Sequence, residues 1–178
     1  APLDRVPVNL VDKVRYWDMA ATAPSAGKDP DWTAGALVGI DADGIYYILH
    51  IVRIQGTPLE IEHLVQQVAA LDGINTPIYI EQEPGSSGVI TIDHYIRKIL
   101  RGYICYGDRP TGSKEERSNP VSSTAEAGNF RLIRGTWIND YLDEAESFPS
   151  GSHDDQIDAV SGAFAKLQVP DAGIELIS

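Results

Sequence analysis

Five acidic side chains have the types and spacing to do chemistry together: Asp18, Glu81, Asp154, Asp155 and Asp158. Hard divalent cations prefer such oxygen ligands, and two ions held roughly 3.5–4 Å apart can clamp the attacking and the leaving oxygen of a phosphodiester. In His153-Asp154-Asp155-Gln156-Ile157-Asp158, Asp158 follows Asp155 by three positions and Asp154 by four, so on a helix these acids share a face. Like charges at that spacing repel, and a metal ion would compensate them. Acids complementing a helix dipole would explain Asp154 and Asp155 as well, but Asp158 less so. Asp18 stands between Trp17 and Met19 in an apolar run, where a carboxylate is costly to bury unless paired or metal-bound. A strand-end aspartate facing solvent is the plainer alternative. Glu81 and Glu83 follow Ile78-Tyr79-Ile80 and project to one face if the strand alternates. Glu81 is the preferred ligand because it still belongs to the strand. Glu83, next to the Pro84-Gly85 turn, reads as a supporting neighbour. His153 reads as a capping or hydrogen-bonding neighbour, with general base or ligand as the alternative.

Several elements must carry these residues. The run Val14–Ala20 predicts a strand, with Val14, Tyr16 and Asp18 on one face. A Pro-, Gly- and Lys-bearing loop, Ala23–Asp31, follows. Trp32–Ile40 and Ile45–Ile54 read as two more strands joined by a tight turn at Asp43-Gly44, which makes an antiparallel meander. Thr57-Pro58-Leu59-Glu60 has the pattern of an N-cap, a proline at the first helical position and a capping-box glutamate. That helix ends at Gly73. Pro77–Glu81 is a short strand, a second helix runs from the Gly85–Gly88 segment to about Leu100, and Tyr103–Tyr106 is another strand. Asp108–Pro120 is polar and aperiodic and reads as a mobile loop. A helix around Val121–Ala127, a strand Phe130–Arg134, a helix Trp137–Phe148 and a last helix from about Ser152 complete the chain. Residues 1–11 read as a lead-in or linker, 12–169 as one domain and 170–178 as a tail.

At 178 residues, 43% hydrophobic and 22% charged, the chain has the composition of an ordinary globular domain. No run approaches the ~18 apolar residues of a membrane span. The single cysteine, Cys105, excludes an internal disulfide and a cysteine-based zinc site. The net charge of −12 opposes strong nucleic-acid binding, because phosphate neutralisation dominates that affinity. Bound metals would cancel part of it, and another domain or subunit could deliver the DNA. Ala26-Gly27-Lys28-Asp29 lacks the first glycine and the following Ser/Thr of a phosphate loop, which excludes a nucleotide-hydrolysing motor here. Lys28, Arg109, Lys114 and Arg117 are candidate contacts to DNA phosphates, solvated loop charges being the alternative.

Five stretches carry a resemblance: Arg15-Tyr16-Trp17-Asp18-Met19-Ala20-Ala21-Thr22, Gly27-Lys28-Asp29-Pro30-Asp31-Trp32-Thr33, Ile80-Glu81-Gln82-Glu83-Pro84-Gly85-Ser86, Glu126-Ala127-Gly128-Asn129 and His153-Asp154-Asp155-Gln156-Ile157-Asp158-Ala159. In this order the chain resembles the C-terminal nuclease domain of tailed-phage terminase large subunits, the DNA-packaging motor. Each stretch is weak alone, and together they are specific. The resemblance implies an α/β, ribonuclease H-like mixed sheet, an antiparallel three-strand meander extended by parallel strands, with helices on both faces. It also implies kinship with Holliday-junction resolvases. Carried over by position, Asp18, Glu81 and Asp155 with Asp158 would hold two Mg²⁺ or Mn²⁺ ions, and Asp154 is the alternative to Asp155. The implied activity is a magnesium- or manganese-dependent endonuclease that cuts double-stranded viral DNA with little sequence preference during genome packaging. A junction-resolving or RNA–DNA hybrid nuclease, or a catalytically silent assembly module, are the alternatives. Implied partners are double-stranded DNA, an ATPase domain ahead of the nuclease in the same full-length protein, the portal and the small terminase subunit. The implied setting is the cytoplasm of an infected bacterium.

Overall fold

The computed structural model describes residues 1–20 and 29–167. Lys28 and most of the Ala23–Asp31 loop lie outside the described residues, as does the expected tail. Strands β1 (Leu10–Asp18), β2 (Thr33–Asp41) and β3 (Tyr46–Ile54) form the expected antiparallel meander. The β2–β3 turn closes on Asp41, whose Oδ1 accepts from the Asp43 and Ile45 amides at 2.9 Å each, while Gly44 takes φ +79°. Three short strands extend the sheet in parallel: β4 (Ile78–Glu81) beside β1, β5 (Cys105–Asp108) beside β4, and β6 (Phe130–Leu132) beside β3. The six strands run in the order β5-β4-β1-β2-β3-β6.

Helices cover both faces. On one lie α1 (Pro58–Asp72), with its Thr57–Glu60 capping box, and α2 (Ser86–His94), which continues through a π-helical turn over Tyr95–Ile99. They bury Trp17, Val65, Val68, Ile78, Ile80, Ile92 and Leu100. On the other face, α3 (Lys114–Glu126), α4 (Ile138–Ser147) and α5 (Asp155–Lys166) enclose a larger core with Val14, Tyr16, Ala34, Ala36, Val38 and Ile48. Central strand β2 is buried along its whole length because both faces are covered. Alternation along β1 sends Val14 and Tyr16 to the α5 layer and Arg15 and Trp17 to the α1–α2 layer. Helix α5 packs close to β1 at Gly162, where a Cβ would lie 2.4 Å from the Tyr16 ring.

Two expectations are corrected. The supposed loop Asp108–Pro120 holds the first half of α3, which begins at Lys114 rather than near Val121. Ser113 and Glu116 form a capping box: the Ser113 amide donates to Glu116 Oε2 at 2.7 Å and the Glu116 amide to Ser113 Oγ at 3.1 Å. Pro120, the residue that argues against a helix here, sits inside it. Strand β1 begins at Leu10, and Leu3 pairs with the β6 edge, its amide donating to the Leu132 carbonyl at 2.8 Å. Strand β5 lies two residues later than expected, at Cys105–Asp108.

Candidate active site

Backbone register decides which acids meet. Strands β1 and β4 are parallel, and Trp17 pairs with Ile80, so Asp18 and Glu81 end their strands side by side with the same pleat. That pleat is opposite to Trp17 and Ile80, which lie in the α1–α2 layer, so both carboxylates point toward α5. Glu81 is paired in turn with Asp108 of β5. Three adjacent parallel strands therefore end in carboxylates at one edge of the sheet. Sequence reasoning missed Asp108 because its strand was placed two residues too early. Asp108 accepts from the Tyr16 hydroxyl at 2.7 Å and from Lys166 Nζ.

Helix α5 lowers its first turn onto this edge. Asp155 and Asp158 are buried, at 6% and 4% exposure. Their freedom from capping duty has a source on α4. Buried Glu144 accepts from the Gln156 and Ile157 amides at 2.8 and 3.1 Å and from Gln156 Nε2 at 2.6 Å. A carboxylate from a neighbouring helix thus satisfies the amides that Asp154 or Asp155 would otherwise cap. Asp154 makes no side-chain cap bond, and Asp155 Oδ2 accepts instead from the Trp32 amide at 3.1 Å. The signal for Glu144 was present in the sequence, since its spacing from Ile138 and Tyr141 puts it on the buried face of α4.

Asp18, Glu81, Asp155 and Asp158 lie close enough that their charges act on one another. Burial, then the charges of Glu81, Asp158 and Asp155, push the Asp18 carboxyl well above the usual carboxylate range. Burial and Asp158 raise Glu81; burial raises Asp158 despite Lys114. Burial lifts Asp155 from the ordinary 3.8 to about 6. Desolvated like charges without full compensation are what a divalent cation relieves. Asp158 Oδ1 is buried with no hydrogen-bond partner among the described residues. The four-carboxylate donor set and this orphaned oxygen suit Mg²⁺ or Mn²⁺.

The remaining candidates divide. Lys114 Nζ bridges Asp154 Oδ1 and Asp158 Oδ2, and Arg117 Nη2 lies 3.5 Å from Asp158 Oδ1. Both cations, expected on a loop, are carried on α3. Arg109 is exposed beside Gln82, whose side-chain oxygen, in the amide orientation that satisfies both partners, accepts from its Nε at 3.0 Å and Nη2 at 2.8 Å. A cleft of about 470 Å³ is lined by the acids Glu81, Asp108 and Asp158, by Tyr16, and by the cations Arg109, Arg117 and Lys166. Glu83 is exposed and reaches the cluster through its charge on Glu81. His153 Nε2 donates to Asp29 Oδ2 at 2.7 Å, a contact that raises the His153 pKa. Ligating atoms of Asp31, His153 and Asp155 lie within 4.8 Å of one another, a grouping in which Asp31 was not foreseen.

Residues 15–167 match the terminase RNase H-like domain family. The chain belongs to that family. No curated protein matches the sequence. Among solved structures the chain is similar to the human cytomegalovirus terminase nuclease domain, Mn soaked and inhibitor bound, with TM-score 0.65, 16% identity, and coverage of 89% of this chain and 84% of that one. It is similar also to the large terminase nuclease from the thermophilic phage G20c, with TM-score 0.55, 16% identity and coverage of 93% and 91%. At these identities the likeness establishes a shared RNase H-like fold, in agreement with the mixed sheet and two helical layers. The family match spans Asp18, Glu81 and the α5 acids alike.

Proposed function

We propose that this terminase-family domain is a divalent-metal-dependent endonuclease that cuts double-stranded DNA with little sequence preference during viral genome packaging. The observation that carries this reading is the convergence of half-buried Asp18 and Glu81, at two neighbouring strand ends, with buried Asp155 and Asp158 on α5 in one mutually repelling cluster. Asp18, whose carboxyl feels the charges of Glu81, Asp158 and Asp155, would be a ligand shared by the ions. Glu81 and Asp155 would belong to separate coordination spheres, with Asp158 or Asp154 in support. Bound there, such ions turn a water into a nucleophile and stabilise the departing 3′ oxygen.

The chain's own residues do the rest. Glu144 fixes the first turn of α5, and Tyr16 against Gly162 sets how closely that helix approaches β1. Arg109 and Arg117 flank the cleft where a strand's phosphates would pass. The net charge of −12 leaves little affinity for free DNA, so an ATPase domain of the same protein, the small subunit and the portal would deliver the substrate in the infected bacterial cell.

Plasmid nicking with Mn²⁺ tests the reading, with Asp18→Asn and Asp155→Asn expected to abolish it; undiminished cutting by either removes that residue from the mechanism. Comparing linear duplex, four-way junction and RNA–DNA hybrid separates the substrate classes. Calorimetry with Mn²⁺ exposes a silent assembly module, which would take up no ion above nonspecific levels.

A further inference from the structure

Helix α3 carries a cation into the acidic centre. Its capping box anchors the first turn, so the backbone of Lys114 is fixed while its long side chain reaches across to α5. The ammonium lies 2.7 Å from Asp154 Oδ1 and 2.6 Å from Asp158 Oδ2. The Asp158 side chain is 3% exposed, that of Lys114 46%, so the ammonium approaches a buried carboxylate from the solvent side. The other oxygen of Asp158 is left without a hydrogen bond, Arg117 standing off at 3.5 Å. Among the described residues the ligating atoms of Asp18, Glu81 and Asp158 do not draw together within 4.8 Å, as those of Asp31, His153 and Asp155 do. Asp158 is engaged with the lysine instead.

One ammonium offsets a single negative charge, offers no coordination sphere and cannot gather several carboxylates around one point. A divalent ion can do so, but it would draw on the Asp158 carboxylate that Lys114 now engages through Oδ2, and two cations against one carboxylate repel. The flexible stem and exposed position of Lys114 let its head group move into water at little cost. We infer that Lys114 is a positioning residue that stands in for a divalent ion between Asp154 and Asp158 and is exchanged for that ion when it binds. The inference rests on reading Asp158 as an ion ligand.

The test measures Mn²⁺ binding by calorimetry on the wild-type domain and Lys114→Met, together with labelling of wild-type lysines by a small amine-reactive ester, read residue by residue. Exchange predicts that Mn²⁺ raises labelling of Lys114 several-fold while exposed Lys98 stays constant, and that Lys114→Met binds Mn²⁺ several-fold more tightly. A lysine that merely holds the fold together predicts weaker ion binding in Lys114→Met, which overturns the inference. A lysine that remains in place predicts unchanged labelling on Mn²⁺ addition, which overturns it also and needs no variant to fold. In both of these cases the wild type still binds Mn²⁺, so the metal-dependent reading survives. No Mn²⁺ binding by either protein overturns both.

Discussion

Strand β1 sends charge into both layers of the molecule, and the two layers treat it in opposite ways. On the α1–α2 side, Arg15 is fully buried and fully matched: Nε and Nη2 meet Asp72 Oδ2 and Oδ1 at 2.7 and 2.8 Å, and Nη1 donates to the Gly35 carbonyl at 2.9 Å. His50 Nδ1 lies 3.2 Å from Nη2, and burial together with the guanidinium holds the His50 pKa below its usual value, as an accepting imidazole requires. On the α5 side, three residues further along the same strand, Asp18 meets the charges of three more carboxylates, and Lys114 and Arg117 of α3 approach only Asp158 among these four. A buried pair with every donor used ties elements together, here β1 to the end of α1. A buried cluster of one sign destabilises the fold by itself and persists where a ligand needs it. The first region is architecture; the second is a site.

Breaking the two regions should give opposite signs. The largest effect expected is on activity: Asp18→Asn should lower Mn²⁺-dependent nicking by ~10³-fold or more, since metal ions contribute several kcal/mol to stabilising transition-state charge. The same substitution should raise the melting temperature of the metal-free protein by relieving repulsion, which calorimetric scanning reads. Asp72→Asn should do the reverse, costing about 3–5 kcal/mol in urea denaturation by stranding the Arg15 guanidinium, while leaving Mn²⁺ affinity unchanged. A drop in metal affinity there would mean that the two regions are not separable.

A smaller effect sharpens the boundary between them. Glu144→Ala should cost about 0.5–2 kcal/mol of stability as a lost helix cap and weaken Mn²⁺ binding ~10–100-fold by loosening the first turn of α5. Glu144→Gln, which keeps the oxygen that accepts from both amides, should recover most of the loss. The smallest effect is in pH. Asp155 holds its proton up to about 6 when folded, against an ordinary 3.8, so its contribution to stability is fully present below about pH 4 and lost as pH rises through 6. The melting temperature of the metal-free protein should fall across that window, Mn²⁺ should restore it at pH 7, and Asp155→Asn should flatten the profile.

Much of the fold was legible because its signals are local. The Asp43-Gly44 turn, the Thr57–Glu60 box and the alternation of Val14, Tyr16 and Asp18 each follow from a few neighbouring residues. The first half of α3 stayed hidden because its residues are polar and show no apolar period, so that only the Ser113–Glu116 box marks its start. Asp108 stayed hidden because a two-residue shift of a short strand changes which side chain ends it. Glu144 is polar on an otherwise apolar face, so its role as a cap for another helix could not be read along α4 alone.

Residue types and spacing determined that this chain carries strand-end acids and an acidic turn on a late helix, since those depend only on short-range periodicity. Tertiary structure decided the rest. Parallel register between β1, β4 and β5 sets Asp18, Glu81 and Asp108 in one row, and Glu144 releases the α5 acids from their own helix end. Those relations join residues far apart in the chain, and only close packing of the layers fixes the distances on which charge interactions depend.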